Sequence, residues 1–169
     1  MSMSAPEALR LAPLDLFIDP LLSFQDARLR DMLAYWERQR GAKPCPARAD
    51  VSPADIVSHL PSVFLVDAEP PALSLSNFRV RLMGTALNEL FARDFTGRTL
   101  EGDIAEKPAA AIAKVLGVVC QLRRPLRVYG AAVFSPSGPA TEIEAVLLPL
   151  SAGAGVDMVL GELVKRASA

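Results

Sequence analysis

The chain has 169 residues, of which 51% are hydrophobic and 22% charged, and its formal net charge is −1. This length and composition are typical of one globular domain with a hydrophobic core. The near-neutral charge argues against nucleic-acid binding, which needs a basic surface. No stretch approaches the roughly 20 apolar residues of a membrane-spanning helix, and the N-terminus shows no signal peptide. The two cysteines, Cys45 and Cys120, lie far apart without metal spacing, which predicts a reducing, cytoplasmic location.

Residues 1–22 are interrupted by proline, and we interpret them as a tail that precedes one domain spanning residues 23–165. The tail either packs loosely on the domain or a second subunit, or serves as a partner-binding arm. Residues 23–40 then show apolar side chains at i, i+3, i+4 and i+7, which predicts an amphipathic helix. These apolar positions are Leu29, Met32, Leu33 and Trp36. The stripe either anchors the helix to its own domain or forms a dimer interface.

A short helix is predicted from Ser52 to Leu60, because Ser52 is a suitable N-cap and Pro53 fits the first turn. This helix carries His59, the only histidine of the chain. Asp55 lies four residues earlier and could share a metal with it, but two ligands do not make a metal site. We therefore assign His59 a structural or surface role.

Five segments are predicted as strands, at residues 63–69, 77–83, 126–134, 141–150 and 156–164. The first two suit an antiparallel hairpin, and the last three suit a meander. The second strand alternates, with Phe78, Val80 and Leu82 expected on one face. Residues 146–148 are apolar on both faces, which indicates that a second layer covers the sheet. The helix at 23–40 is the candidate for that layer.

Two helices are predicted between the second and third strands. The first is short, follows a glycine–threonine pair and contains Leu87 and Phe91, and we expect it to cover one face of the sheet. The second spans residues 108–124, and its wide apolar stripe includes Leu116 and Cys120. We interpret Cys120 as a buried thiol that acts as a small apolar residue, because no base adjoins it in the sequence.

Arg93, Asp94 and Arg98 surround a glycine turn between these two helices. In one interpretation, Asp94 caps or pairs locally and fixes the turn. In the other, an arginine binds an anionic ligand at the mouth of a cavity, because a guanidinium group suits carboxylate or phosphate.

Two further charged groups lie near the predicted meander. Arg123, Arg124 and Arg127 are interpreted as a solvated helix end, where positive charge suits the helix dipole. Glu142 and Glu144 alternate on a strand, and we expect them to face solvent or arginine residues.

The order of helix, two strands, helical segment and three strands predicts an α+β domain with a five-stranded antiparallel sheet. It resembles a PAS domain, in which a helical insertion packs over one face of the sheet and encloses a cavity. Three runs of sequence sharpen the resemblance: YW at 35–36 followed by PARADVSP at 46–53, FRVRLMGT at 78–85, and RDFTGRTL at 93–100. Together they resemble a PAS-like family found mainly in alphaproteobacteria, over residues 30–165. The resemblance implies a stand-alone sensing or protein–protein signalling module and makes a homodimer the expected assembly.

If the insertion encloses a cavity, its lining would be apolar, with arginines at the mouth. The candidate ligand-binding residues are Leu82, Leu87, Phe91, Arg93, Arg98, Leu116, Cys120 and Phe134. The alternative is that these side chains fill the core and leave no void. Such a lining suits a small apolar or anionic ligand. It suits haem poorly, because the only histidine lies outside the insertion, and flavin is disfavoured because Cys120 lacks asparagine- and glutamine-rich surroundings.

Motifs of common catalytic sites are absent from the sequence, including a glycine-rich phosphate loop, GxSxG, HExxH and CxxC. We therefore expect no enzyme and propose no catalytic residue, no metal ligand and no cofactor. The leading hypothesis is a sensory or regulatory module that binds a small molecule or an unidentified signalling protein. The alternative is a homodimeric adaptor with a filled core, whose interface is the helix at 23–40. Burial of Trp36 within its own chain would contradict the adaptor hypothesis.

Overall fold

The computed structural model describes residues 9–11, 15–102, 106–135 and 138–166. The strands are β1 (Leu9–Leu11), β2 (Asp15–Asp19), β3 (Val63–Ala68), β4 (Phe78–Met83), β5 (Leu126–Val133), β6 (Ala140–Leu150) and β7 (Met158–Lys165). The α-helices are α1 (Ala27–Arg40), α2 (Thr85–Phe91) and α3 (Glu106–Leu122), and a 3₁₀ segment (Pro53–Ser62) precedes β3. All seven strands form one antiparallel sheet in the order β1-β2-β5-β6-β7-β3-β4. The expected α+β fold, with a helical insertion after the first hairpin, is confirmed.

The sheet has two more strands than predicted, because part of the segment interpreted as a tail pairs with it. Strand β2 lies beside β5, with Phe17 opposite Tyr129 and Ile18 opposite Val128. Leu16 and Ile18 are buried in the core. The apolar alternation of β2 is only three residues long and ends at a proline, so its sequence signal is too short to distinguish a strand from a tail.

The sheet separates two hydrophobic cores. On the insertion-side face, α3 lies across β6 and β7 and packs on Ile143, Ala145 and Leu147. On the opposite face, called the α1-side face, α1 packs on Val146 and Leu148. Successive residues of a strand point to opposite faces. The second half of β6 is apolar on both faces, so it contributes side chains to both cores. The prediction that helix 23–40 covers the second face is confirmed.

The stripe on α1 is an anchor to its own domain. Leu29 and Met32 are 0% exposed and Trp36 is 3% exposed, while Leu33 is partly buried against the same core. The Trp36 indole Nε1 donates a hydrogen bond of 2.8 Å to the carbonyl oxygen of Pro149 on β6. The interpretation of Leu29, Met32 and Trp36 as a dimer interface is therefore corrected, because they are buried in the core of their own chain, and only Leu33 of the predicted stripe stays partly exposed.

A β-bulge moves Leu82 to the unexpected face of the sheet. The register between β3 and β4 pairs Val66 with Val80 but Leu65 with Leu82, so Arg81 is an extra residue in β4. Such a bulge shifts every following side chain to the opposite face. Leu82 consequently lies on the α1-side face, where it is 41% exposed. It cannot line a cavity under the insertion, and the alternation in the sequence does not reveal the bulge.

Helix α2 packs against the 3₁₀ segment, and α3 provides the cover of the sheet that we had expected from α2. Gly84 joins β4 to α2 at a point where a side chain has no room. A Cβ atom at this position would lie 2.3 Å from the carbonyl oxygen of Pro61 and 2.4 Å from that of Leu60. The Gly84 amide also donates to the carbonyl oxygen of Val63 at 2.9 Å, so the turn into α2 is fixed against the 3₁₀ segment.

Candidate functional site

Three aromatic rings meet where α2 ends on the insertion side. The ring of Phe91 is 6.0 Å from that of Phe95 and 5.2 Å from that of Phe134, both in edge-to-face geometry. The amide of Phe95 donates to the sulfur of Met83 at 3.5 Å. The bulge in β4 accounts for this contact, because Met83 pairs with Phe64 and so follows it to the insertion-side face. Phe91 and Phe134, two of the predicted cavity residues, are thus brought together.

Helix α3 contributes two more of the predicted apolar candidates. Leu116 is buried in the insertion-side core, and Cys120 is partly buried against it, as is Phe134. Burial raises the pKa of the Cys120 thiol to about 11. The thiol is therefore protonated at neutral pH and behaves as a small apolar group.

Two further apolar side chains on this face, Phe64 and Leu163, are also partly exposed although they pack on the core. The ring of Phe64 lies over Gly161 of the neighbouring strand, where a Cβ atom would be 2.0 Å from the ring carbon Cζ. Phe64 is not among the residues predicted from the sequence. The signal that could have found it is Gly161, because an isolated glycine within a strand marks a close approach by another group.

Asn88 on α2 carries a buried polar atom without a partner. Its side-chain oxygen Oδ1 has no hydrogen-bond donor within the part of the chain that the structure describes. Asn88 is three residues before Phe91, so helical spacing places the two side chains on neighbouring positions of α2. A buried acceptor that lacks a donor costs about 1–3 kcal/mol, so most such atoms in proteins have a partner.

The polar candidates of the insertion take structural positions. Asp94 Oδ1 accepts hydrogen bonds from the Thr96 amide at 2.9 Å and from the Thr96 hydroxyl at 2.6 Å. Both bonds hold the pKa of Asp94 below its usual value. The guanidinium of Arg93 lies over the Phe95 ring at 5.3 Å, and both Arg93 and Arg98 are exposed. The turn is therefore fixed locally, as one of the two interpretations expected.

The α1-side face contains a buried ionic network that the sequence did not indicate. Glu144 is 0% exposed and accepts hydrogen bonds from the backbone amides of Gln25 and Asp26, each at 2.8 Å. Arg127 donates from Nε to Glu144 at 2.6 Å and from Nη1 to Asp19 at 3.2 Å. The interpretation of Arg127 as part of a solvated helix end is therefore wrong. Its position in β5, opposite Val146, buries it beneath the entry to α1.

A second buried carboxylate pairs with the only histidine. His59 Nδ1 lies 2.8 Å from Oε1 of Glu162, which is 1% exposed. Burial raises the pKa of Glu162, and the hydrogen bond and charge of His59 partly offset that rise. Asp55, the expected neighbour of His59, instead accepts a hydrogen bond from the Tyr35 hydroxyl at 2.9 Å. His59 thus has the structural role expected of it, with a partner 103 residues away.

The described part of the chain holds no group of three or more metal-ligating side chains. Within the same residues, no helix has both the length and the hydropathy needed to cross a bilayer.

A family model described as a PAS domain matches residues 24–164. The chain belongs to the PAS domain family. PAS domains are generally sensory modules, so this membership supports a sensory role in general and confirms the resemblance to a PAS domain. No curated protein matches the chain at a significant level.

Several solved structures are similar to this PAS domain. The PAS domain of BvgS from Bordetella pertussis aligns with a TM-score of 0.44 and 14% identity, over 63% of this chain and 76% of that one. An RNA-binding light-oxygen-voltage receptor aligns with a TM-score of 0.48 and 13% identity, over 90% of this chain and 39% of that one. The VqmA dimer of Vibrio cholerae aligns with a TM-score of 0.45 and 14% identity, over 69% of this chain and 52% of that one. The last two matches therefore span well under two thirds of those proteins.

Proposed function

We propose that this PAS domain is a sensory or regulatory module that binds one small, mostly apolar molecule between α2, α3 and the insertion-side face. The observation that carries the proposal is a buried acceptor, Asn88 Oδ1, which has no donor within the described residues and lies one helical turn before Phe91, whose ring meets that of the partly exposed Phe134. A ligand with one hydrogen-bond donor would satisfy that acceptor and cover the apolar surface at the same time.

The apolar contribution would come from both the sheet and the insertion. The residues we assign to it are Phe64, Phe91, Cys120, Phe134 and Leu163. Ligand pockets in proteins are typically lined by hydrophobic and aromatic side chains, with a few polar groups that fix orientation. Aromatic rings supply large apolar contact areas, so the Phe91–Phe134 pair suits a surface that contacts a mostly apolar ligand.

The ligand set proposed from the sequence changes in three ways. Leu82 leaves it, because the bulge places that side chain on the other face. Leu87 and Leu116 are buried and would act as support behind the contact surface. Arg93 and Arg98 lie outside the apolar surface, on the exposed turn that follows α2, where they could contact only a ligand that projects outward.

The adaptor hypothesis depended on the apolar stripe of α1 as an exposed surface. Leu29, Met32 and Trp36 are enclosed by the sheet of their own chain, and the outward positions of α1, such as Arg30, Glu37 and Arg38, are exposed and charged. A homodimer or a complex with a signalling protein would have to use another surface. We propose no catalysis for this domain.

Native mass spectrometry of the protein purified from cells, compared with its denatured mass, tests the proposal. We expect a noncovalent adduct in the wild type that is lost in Asn88→Leu. The matched control is Glu89→Leu, which changes the exposed neighbour on the same helix and should keep the adduct.

A bare wild-type chain, together with an Asn88→Leu variant that is more stable by about 1–3 kcal/mol in urea, would contradict the proposal. That combination would mean that Asn88 carries an uncompensated polar cost inside a filled core. Identical adducts in Asn88→Leu and Glu89→Leu would also contradict it, since the ligand would then bind without the orphan acceptor.

A further inference from the structure

A pocket lies outside the insertion-side surface. It has a volume of about 230 Å³ and is formed by residues of the loop at 43–47, by Arg123 at the end of α3, and by the β6–β7 loop at 151–153. A cavity of only about 10–15 Å³ can hold a single water molecule, so this pocket can hold a small organic molecule. Three segments that are distant in sequence meet here: the loop after α1, the end of α3 and the loop between β6 and β7.

Backbone contacts hold these segments in place. The Ser151 amide donates to the carbonyl oxygen of Pro46 at 2.9 Å, and the Cys45 thiol lies 3.8 Å from the carbonyl oxygen of Arg123. The Ser151 hydroxyl donates to the carbonyl oxygen of Gly155 at 2.6 Å and accepts from the Gly153 amide at 3.1 Å. The pocket wall is therefore formed by a loop whose polar groups already bond within it, which favours a preformed shape.

The pocket has one cation in excess. Lys43 pairs with Asp50, whereas the Arg123 guanidinium forms no ion pair with any residue that the structure describes. Asp157, the carboxylate beside the β6–β7 loop, accepts a hydrogen bond from the Ala152 amide at 3.1 Å. Burial raises the pKa of the Cys45 thiol, but the charges of Arg123 and Arg40 act in the opposite direction. Arg123 and Arg40 therefore place positive charge near the Cys45 thiol, which lines the pocket.

We propose that this pocket binds a small organic anion, with its carboxylate on Arg123 and its apolar part against Pro44 and Ala152. A guanidinium presents two parallel N–H donors that match the two oxygens of a carboxylate, and Pro44 with Ala152 supplies apolar contact. The inference goes beyond the sensory site proposed above and uses none of its residues. An anion bound here would contact the loop after α1, the end of α3 and the β6–β7 loop together, and so would fix their relative positions.

The test is a titration of ¹⁵N-labelled full chain with benzoate and, separately, with inorganic phosphate, followed by NMR. We expect saturable shifts at the amides of Ser151 and Gly153 with benzoate. Affinity should fall at least tenfold in Arg123→Gln and stay unchanged in Arg124→Gln. Arg124 is the matched control, because it is the adjacent exposed arginine and does not line the pocket.

Shifts that rise linearly without saturation would overturn the proposal, as would equal affinities in the two variants. Saturation by phosphate without saturation by benzoate would also overturn it, because the apolar contact would then play no part. None of these outcomes depends on Asn88, so failure here is separate from failure of the sensory site.

Discussion

The two faces of the sheet differ in the polar groups that they bury. On the α1-side face, three carboxylates and two cationic or titratable side chains are buried or half-buried, and each has a hydrogen-bond partner. These residues are Asp19, Glu144, Glu162, His59 and Arg127. On the insertion-side face, the core is almost wholly apolar and several side chains stay partly exposed. On α2, one polar atom, Asn88 Oδ1, lacks a donor within the described chain.

The comparison indicates which face is fixed and which can adapt. A satisfied buried ionic network has one good geometry, because any displacement leaves a charge unpaired in a low-dielectric environment. Apolar contacts are non-directional and tolerate small displacements. We therefore infer that α1 is held rigidly on its face, whereas the α2–α3 layer can adjust to a ligand.

Substitution of Glu144 should have the largest effect and would break the fixed face. Glu144→Ala leaves two backbone amides without an acceptor and removes the closest counter-ion of Arg127. Breaking one partner of a buried pair costs about 3–5 kcal/mol, so we expect a loss of that size in the free energy of unfolding. Urea denaturation followed by circular dichroism measures it.

Glu142→Ala is the matched control, since Glu142 lies two residues earlier on the same face and is exposed. We expect a change within about 0.5 kcal/mol for it. Equal losses in the two variants would show that the buried network does not fix α1.

Gly161→Ala tests whether the insertion-side face can adapt. The new Cβ would collide with the Phe64 ring, which must move away. Overpacking costs about 1–3 kcal/mol, and we expect the low end because Phe64 is only partly buried. Urea denaturation gives the loss, and the ¹³C shifts of Phe64 should report the displaced ring. A loss as large as that of Glu144→Ala would mean that this face is as rigid as the other.

The smallest effect concerns pH and the Glu162–His59 pair. Burial raises the pKa of Glu162 above its usual value of 4.5, so the folded state binds this proton more tightly than the unfolded state. Its contribution to stability is present below the unfolded pKa and is lost as pH rises through the folded pKa. Relative to Glu162→Gln, the wild type should therefore lose stability as pH rises above about 4.5, by about 1.4 kcal/mol per unit of pKa difference.

Urea unfolding of both proteins from pH 4 to pH 8 checks this sign, with the exposed Glu69→Gln as control. The charged groups that face Glu162 are His59 from the 3₁₀ segment and Arg28 and Asp26 at the start of α1. A wild type that gains stability over Glu162→Gln as pH rises would mean that His59 and Arg28 outweigh the cost of burial.

The sequence predicted the structure well where one hydrophobic period extends over a whole helix or strand. The spacing of Leu29, Met32 and Trp36 predicted α1, and the doubly apolar end of β6 correctly predicted that α1 covers it. The order of helix, strands and insertion predicted a PAS domain, and Gly84 lies in the run FRVRLMGT at 78–85. Position 84 requires a glycine, because no side chain fits there between α2 and the 3₁₀ segment.

The candidate site was less predictable, because it depends on register and long-range pairing. The bulge at Arg81 reversed the side on which Leu82 lies, and nothing in the local alternation announces an extra residue. Arg127 was interpreted as a solvated charge, and Glu144 was expected to face solvent or an arginine. The sequence did not show that the two are buried, because their burial follows from pairing with each other across two strands. The orphan oxygen of Asn88 is likewise a property of packing, which residue type and spacing cannot show.

Both outer edges of the sheet end on short segments of the chain itself. On one side, β2 pairs with β5, and the outermost strand is β1, which has three residues. On the other side, residues 97–100 run along β4, where Val80 exchanges backbone hydrogen bonds with Gly97 and Arg98. Proteins that recruit a partner by adding its strand to a sheet need a long unpaired edge as a template. Among the described strands, neither edge offers a long template of this kind, which limits edge-to-edge aggregation through those strands.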